Sequence, residues 1–257
     1  MKISVLQMHT ILGQPDTNQA TLLNMAENAM QDKPDVLLLP EMWNIGFFPR
    51  PIEDYADKDG EGTRALLSGL ARKYQINIVG GSVARLDSAT GKIYNTCYIF
   101  DRTGQELSSY DKVHLFSPGR EDQVFERGRH ICTFTLDGHK CGVAICYDLR
   151  FGSFLSTIAE DIEILFLPAA WPKLRQQHWD VLTQARAIEY QVFVAACNGG
   201  AAASDKHPLS GHSGIFDPWG EVLAKARERE EIISAELDFR LLQEAREKIP
   251  VRKDNMV

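Results

Sequence analysis

Residues 141–151 read CGVAICYDLRF. An apolar run of strand length stops at Cys146, and the residues after it can open a helix, so the segment is a strand-to-helix junction with a thiol at its apex. Two further segments end on groups that suit such a thiol. DVLLLPE, residues 35–41, closes an apolar run on Glu41, and SYDKVHLF, residues 109–116, carries Lys112 in a polar stretch. A carboxylate, an ammonium and a thiol together make a candidate reaction centre.

Working outward, apolar runs alternate with amphipathic segments, which is the pattern of an α/β chain. A strand is expected near Ile3 to Gln7, followed by a helix from about Asp16 to Gln31. Asp16 or Thr17 would cap that helix, Leu22, Met25, Ala26, Ala29 and Met30 recur at helical spacing, and Pro34 lies beyond its end. Strand 35–39 follows, then a helix around Glu61 to Tyr74 with Leu66, Leu67 and Leu70 as its stripe. Strands are expected near 76–85, 94–100 and 105–110. The turn residues at 88–92 and 101–104 make these antiparallel, so the sheet is mixed. A helix at 174–190, a strand at 192–197 and a Gly/Ala/Ser loop at 199–211 come next. Strands near 212–217, 221–225 and 231–236 and a helical tail from about Asp238 complete the chain. No linker rich in Pro or Gly divides it, and one domain spanning 1–257 is expected.

DVLLLPEMW at 35–43 is echoed by EILFLPAAW at 163–171 in its acidic, apolar, Pro and Trp positions. Two such halves, each with a buried strand ending in Pro, would pack sheet on sheet into a four-layer sandwich. Buried strands also resemble one another without common origin, so duplication is one of two explanations. Only the first copy has a carboxylate after the Pro, because Ala169 stands where Glu41 does.

The 257 residues carry 28 Lys and Arg against 35 Asp and Glu, a net charge of -7, which repels a phosphate backbone. Nucleic acid is therefore not an expected partner. No apolar segment approaches the length of a membrane span, and MKISVLQMH is too short for a secretory core, so a cytoplasmic protein is expected. Cys97, Cys132, Cys141, Cys146 and Cys197 show neither CxxC nor Cys/His ligand spacing, so no metal site or disulfide framework is expected. Four of them read as small buried hydrophobes. Cys146 alone has a context that argues otherwise.

LLLPEMW, YDKVHLF, GVAICYDLRF, WPKLRQQHWDVLTQARAIEYQVFVAACN and GHSGIFDPWGEVLA together resemble the nitrilase superfamily of carbon-nitrogen hydrolases, over essentially the whole chain and in the family's order. The resemblance implies an αββα sandwich with two mixed sheets, Glu41 as general base, Lys112 as cationic stabiliser and Cys146 as nucleophile. It implies an amidase working through a thioester, with no metal or cofactor. The backbone N–H of Tyr147 would help Lys112 hold the oxyanion. Glu121 matches a second glutamate of related amidases and would orient Lys112 or meet the leaving amine; the alternative is a solvated loop charge beside Asp122.

Trp171, Tyr147 and Asn198 follow or end expected strands and are candidate pocket walls, with core packing as the alternative for each and for Trp43. Asp148 and Arg150 are expected to brace the nucleophile turn, and Arg186 and Glu189, three apart on a helix, to form an ion pair. His178 and His207 have no evident partner. Within the superfamily the motifs look most like the ω-amidase group, whose substrates are small 2-oxo dicarboxylic acid monoamides such as 2-oxoglutaramate. Arg175 and Arg186 are then candidates to anchor the substrate carboxylate. Ala170 stands where relatives often have a polar or acidic residue, and SPGR before Glu121 is another point where specificity can diverge. The competing readings are another short-chain amidase, an N-carbamoyl hydrolase, or a binding protein that has lost the chemistry. A homodimer is expected by resemblance, with Leu241, Leu242 and Ala245 of the tail as a possible contact.

Overall fold

The computed structural model describes residues 1–202 and 205–254. Its strands, in chain order, are β1 (Lys2–Gln7), β2 (Val36–Leu38), β3 (Asp57–Lys58), β4 (Asn77–Val79), β5 (Val83–Leu86), β6 (Ile93–Phe100) and β7 (Glu106–Asp111). They continue with β8 (Cys132–Leu136), β9 (His139–Val143), β10 (Ile164–Pro168), β11 (Phe193–Cys197), β12 (Gly214–Phe216), β13 (Val222–Lys225) and β14 (Glu231–Glu236). The helices are α1 (Pro15–Ala29), α2 (Glu61–Tyr74), α3 (Gly152–Ala159), α4 (Gln176–Tyr190), α5 (Phe239–Lys248) and the short α6 (Val251–Asp254).

Two mixed sheets result. The first runs β14-β1-β2-β4-β6, with β5 and β7 also paired to β6 and β3 to β5; the second runs β13-β12-β11-β10-β9-β8. β1, β2 and β4 are parallel, as are β9, β10 and β11, and antiparallel strands flank both sets. Side-chain alternation sorts the layers. Ile3, Val5, Val36, Leu38, Cys97 and Ile99 of the first sheet share one core with Phe134, Cys141, Val143 and Phe166 of the second. Leu37, Leu39, Tyr98 and Phe100 point the other way, onto Leu22, Met25 and Ala26 of α1 and Leu67, Leu70 and Ala71 of α2. On the far side α3 and α4 cover the second sheet through Leu155, Ile158, Trp179 and Ala187. The layers are helix, sheet, sheet, helix, as expected.

Several expectations change in detail. The single strand at 76–85 is two, broken at Gly80-Gly81. Gly81 has φ +62, and a Cβ there would lie 2.1 Å from the Pro40 carbonyl oxygen, so the chain must turn where β2 ends. Neither Asp16 nor Thr17 caps α1: the helix starts on Pro15, whose missing N–H costs nothing at that position, and no side chain caps it. β3 and β8 were not expected: β3 has only two residues, while β8 alternates and is joined to β9 through the turn dipeptide Asp137-Gly138, a hairpin signal that sequence reasoning missed. Ala203 and Ser204 of the expected loop, and Asn255 to Val257 of the tail, lie outside the described residues.

The tail docks on its own chain. Leu242 and Ala245 are buried, Gln191 donates to the Ala245 and Ile249 carbonyls at 3.0 and 2.7 Å, and Arg252 donates to the carbonyls of Ala159, Glu160 and Tyr190 at 2.8 to 3.1 Å. Those last contacts satisfy free carbonyls at the C-terminal ends of α3 and α4. Leu242 and Ala245 are thus covered within one chain, while Ile249 and Val251 stay exposed.

The echoed segments occupy matching places, since β2 and β10 each run between two parallel neighbours. They meet where they end. The N–H of Glu41 donates to the carbonyl of Ala169, its counterpart in the echo, at 3.3 Å.

Candidate active site

Glu41, Lys112 and Cys146 lie just beyond the ends of β2, β7 and β9, and the face-to-face packing of the sheets brings them together. Lys112 Nζ is 2.7 Å from Glu41 Oε1, and 3.1 and 2.9 Å from the two carboxylate oxygens of Glu121. All three side chains are fully buried. Asn95, on β6, donates from Nδ2 to Glu41 Oε1 at 2.8 Å and to Glu121 Oε1 at 3.0 Å. The N–H of Ala170 reaches Glu41 Oε2 at 2.8 Å, and that of Phe116 reaches Glu121 Oε2 at 2.6 Å.

The electrostatics follow from one cation facing two carboxylates out of water. Burial pulls the Lys112 ammonium down, but Glu121 and Glu41 outweigh it and hold the group charged, with its pKa above the usual lysine range. Burial raises the Glu121 carboxyl above its ordinary value despite Lys112. The Cys146 thiol is pushed well up, first by burial and then by the Glu41 charge, against the opposing pull of Lys112. At rest this sulfur keeps its proton, so it can act as a nucleophile only if a base removes that proton during attack.

Cys146 opens a 3-10 turn, Cys146–Arg150, with φ +47, an uncommon conformation for a residue with a side chain. Asp148 holds that turn. It accepts from the Ile145 N–H at 2.9 Å, Tyr110 Oη at 2.7 Å and the His114 N–H at 2.9 Å, while His114 Nδ1 lies 2.7 Å away. Arg150 lies over the Trp171 ring and contacts His178 Nδ1 at 3.0 Å, which supplies His178 with a partner. Arg186 pairs with Glu189 as expected and also donates to the Leu149 carbonyl.

A cavity of about 710 Å³ opens onto Cys146. Tyr147, Ala170, Trp171 and Arg175 line it, as do Pro118 and Gly119 of the SPGR segment. Arg50, Arg150, Arg175 and His207 supply its polar wall, Phe47, Phe48 and Phe116 much of its apolar wall, and no Asp or Glu lines it. Among the described residues no carboxylate forms an ion pair with Arg50, Arg150 or Arg175. Such a cavity favours a small anionic ligand. Among the described residues no group of three or more His, Cys, Asp or Glu side chains could hold a metal ion.

Two candidate binding residues are placed elsewhere. Asn198 is fully buried behind the wall, accepting from the N–H groups of Trp171 and Gly199 and donating to Trp171, Ser210 and Gly211, so no polar atom is left for a ligand. Arg186 is outside the lining, committed to Glu189 and Leu149. Trp43 is a core residue whose indole N–H donates to the Gly80 carbonyl at 2.9 Å. Sequence reasoning missed Asn95, Phe47, Phe48, Arg50 and Phe116. The one signal for Asn95 was an amide inside the strand IYNTCYIF; the others lie in loops without periodicity.

Similarity to known proteins decides the family. The profile of the carbon-nitrogen hydrolases matches residues 2–247. The chain belongs to that family. It is 40% identical over 253 residues to the 2-oxoglutaramate amidase of Bacillus subtilis (strain 168), covering 98% of this chain and 96% of that protein. It is 36% identical over 239 residues to an omega-amidase of Xenopus laevis, covering 89% and 86%. Among solved structures, a Saccharomyces cerevisiae member of branch 10 of the nitrilase superfamily superposes with a TM-score of 0.93 at 30% identity, covering 100% of this chain and 97% of that one. The carbon-nitrogen hydrolase is thus an α/β enzyme of the nitrilase superfamily.

Proposed function

We propose that this chain is an amidase that hydrolyses the terminal amide of a small 2-oxo acid monoamide such as 2-oxoglutaramate, using its own side chains alone. The observation that carries the reading is the buried Glu41–Lys112–Glu121 cluster behind Cys146, the member of the centre that lines a cavity whose charged wall is arginine. The similarity to a 2-oxoglutaramate amidase and to omega-amidases supports the choice of substrate.

Glu41 takes the thiol proton as Cys146 Sγ bonds to the amide carbon. The carbonyl electrons move onto oxygen, where Lys112 and the Tyr147 N–H, in the first turn after the nucleophile, stabilise them; one such donor is worth about 100- to 1000-fold in rate. Glu41 returns its proton to the nitrogen as the C–N bond breaks and ammonia leaves. Water then gives a proton to Glu41 and attacks the thioester, and the proton returns to sulfur as the acid departs. Glu121 keeps Lys112 charged and placed, and Arg175, on the cavity wall, draws the substrate carboxylate.

The same reading takes residues 1–257 as one catalytic domain, because the triad draws on both sheets. Five free cysteines suit a reducing cytoplasm, and no described helix is long and apolar enough to cross a membrane. A homodimer is supported by Leu174, Val181 and Ile188, which are 89%, 57% and 52% exposed along one side of α4 and its lead-in turn.

The test is ammonia release from 2-oxoglutaramate, glutamine and a simple aliphatic nitrile, by the wild type and by Cys146→Ala. Turnover selective for 2-oxoglutaramate and lost in Cys146→Ala is expected. Cys146-dependent turnover of another amide overturns the substrate while keeping the mechanism, and turnover that survives Cys146→Ala overturns the mechanism.

A further inference from the structure

Asn95 touches Glu41, Lys112 and Glu121 at the reaction centre. Its Nδ2 donates to Glu41 Oε1 and Glu121 Oε1, and its backbone carbonyl accepts from the Lys112 N–H at 2.9 Å. Lys112 Nζ donates to the same two oxygens, so Glu41 Oε1, Lys112 Nζ, Glu121 Oε1 and Asn95 Nδ2 close a ring of four hydrogen bonds. Glu41 Oε1 therefore receives two donors. Among the described residues the N–H donor to Glu41 Oε2 is that of Ala170, and both that N–H and the Glu41 side chain lie against the Cys146 sulfur.

A carboxylate oxygen has two acceptor positions. With both filled on Oε1 and one open on Oε2, the two oxygens of Glu41 are no longer equivalent. The geometry points to Asn95 as a positioning residue that ties Glu41 Oε1 to Lys112 and Glu121, leaving Oε2 as the atom that exchanges a proton with Cys146. This rests on the proposed role of Glu41 as base.

A second observation separates this from simple scaffolding. Asn95 is fully buried, yet its Oδ1 has no hydrogen-bond partner among the described residues. An unpaired buried acceptor destabilises a fold, so the amide contributes through its donor side. That donor side faces carboxylates, where an N–H stabilises the ionised form; it opposes the upward push of burial on Glu121. The titratable groups around the amide are Glu41, Lys112, Glu121 and Cys146. Arg85 and Asp111, on the flanking strands, bond Thr96 rather than Asn95.

The experiment compares wild type with Asn95→Leu, an apolar residue of similar size, and with Asn95→Ser, too short to reach either carboxylate. Two quantities are read: the melting temperature, and the rate of Cys146 alkylation by iodoacetamide across pH. Alkylation requires no amide substrate, so a wrong substrate assignment does not affect it. The expected result is about 10-fold slower alkylation at neutral pH and an acid limb displaced upward by about one pH unit in both variants, whatever melting temperature is lost with the two hydrogen bonds. If Asn95→Leu does not fold, Asn95→Ser alone decides. An alkylation profile that coincides with wild type overturns the role, as does slower alkylation with an unmoved limb and a lowered melting temperature, which describes a purely structural residue. A wild-type profile with no acid limb refutes Glu41 as base, and the proposal with it.

Discussion

His114 and Asp148 are joined twice: the His114 backbone N–H donates to Asp148 Oδ1 at 2.9 Å, and the ring Nδ1 lies 2.7 Å from the same oxygen. The pair fastens the segment after Lys112, carried by the first sheet, to the turn of Cys146, carried by the second. Asp148 thereby fixes the relative placement of ammonium and thiol across the sheet interface.

Asp148→Asn puts an NH2 group where one pair of donors now finds an acceptor. Leaving buried donors unpaired costs about 1–3 kcal/mol each, so a loss of about 3 kcal/mol in stability is expected, with a fall in kcat. Urea unfolding and steady-state kinetics check this; stability equal to wild type would contradict it. His114→Ala keeps the backbone bond and should lose less.

Cys146→Ser preserves size but replaces the thiol with a poorer nucleophile. Turnover should drop by about 1000-fold or more with the melting temperature nearly unchanged. Retained activity would move the nucleophile elsewhere.

Glu121→Gln should change how stability depends on pH. Burial raises the folded-state pKa of Glu121 above its reference of 4.5, so above that value the unfolded chain releases this proton more readily than the folded one. The favourable contribution of Glu121 is complete below 4.5 and is lost as pH rises through the folded value. Relative to wild type, Glu121→Gln should therefore gain stability as pH rises from 4.5 toward neutrality. A difference that is flat or of opposite slope in chemical denaturation would refute this.

Lys112→Met leaves Glu41 and Glu121 facing each other without a cation. Breaking a buried pair in this way typically costs about 3–5 kcal/mol, and here the loss should shrink at acid pH, where the carboxyls can be neutral. Calorimetry at two pH values reads both effects. Activity should be lost at either.

Arg175→Met removes a cation from the cavity wall while keeping most of the side-chain bulk. A charge-assisted hydrogen bond is worth about 1.5–3 kcal/mol, so KM for 2-oxoglutaramate should rise by at least about 10-fold with kcat little changed. A neutral short amide should be unaffected. An equal change for both substrates would rule out a carboxylate anchor.

What was legible locally proved sound where one segment carried the information. Continuous apolar runs in DVLLLP and EILFLP identified the buried strands β2 and β10, and the turn residues at 88–92 and 101–104 made β5, β6 and β7 antiparallel. The break between β4 and β5 was not legible, because it arises from the close approach of the Pro40 carbonyl to Gly81, which belongs to another strand. Asn198 looked like a pocket residue by its place after β11. Its burial depends on the returning loop of Ser210 and Gly211, which takes up its donors.

The sequence by itself determined most of the elements and the types of group at the reaction centre, because hydrophobic patterning and the chemistry of a thiol, a carboxylate and an ammonium belong to the residues themselves, and its echoed segments and family resemblance implied the αββα class. The tertiary structure alone decided which atoms meet. Asn95 reaches Glu41 from 54 positions away and Ala170 reaches it from 129, contacts that exist only once the two sheets have packed. The fate of each arginine was decided the same way: Arg175 opens into the cavity while Arg186 is held by Glu189, since burial and hydrogen-bond satisfaction depend on neighbours that no local stretch of chain contains.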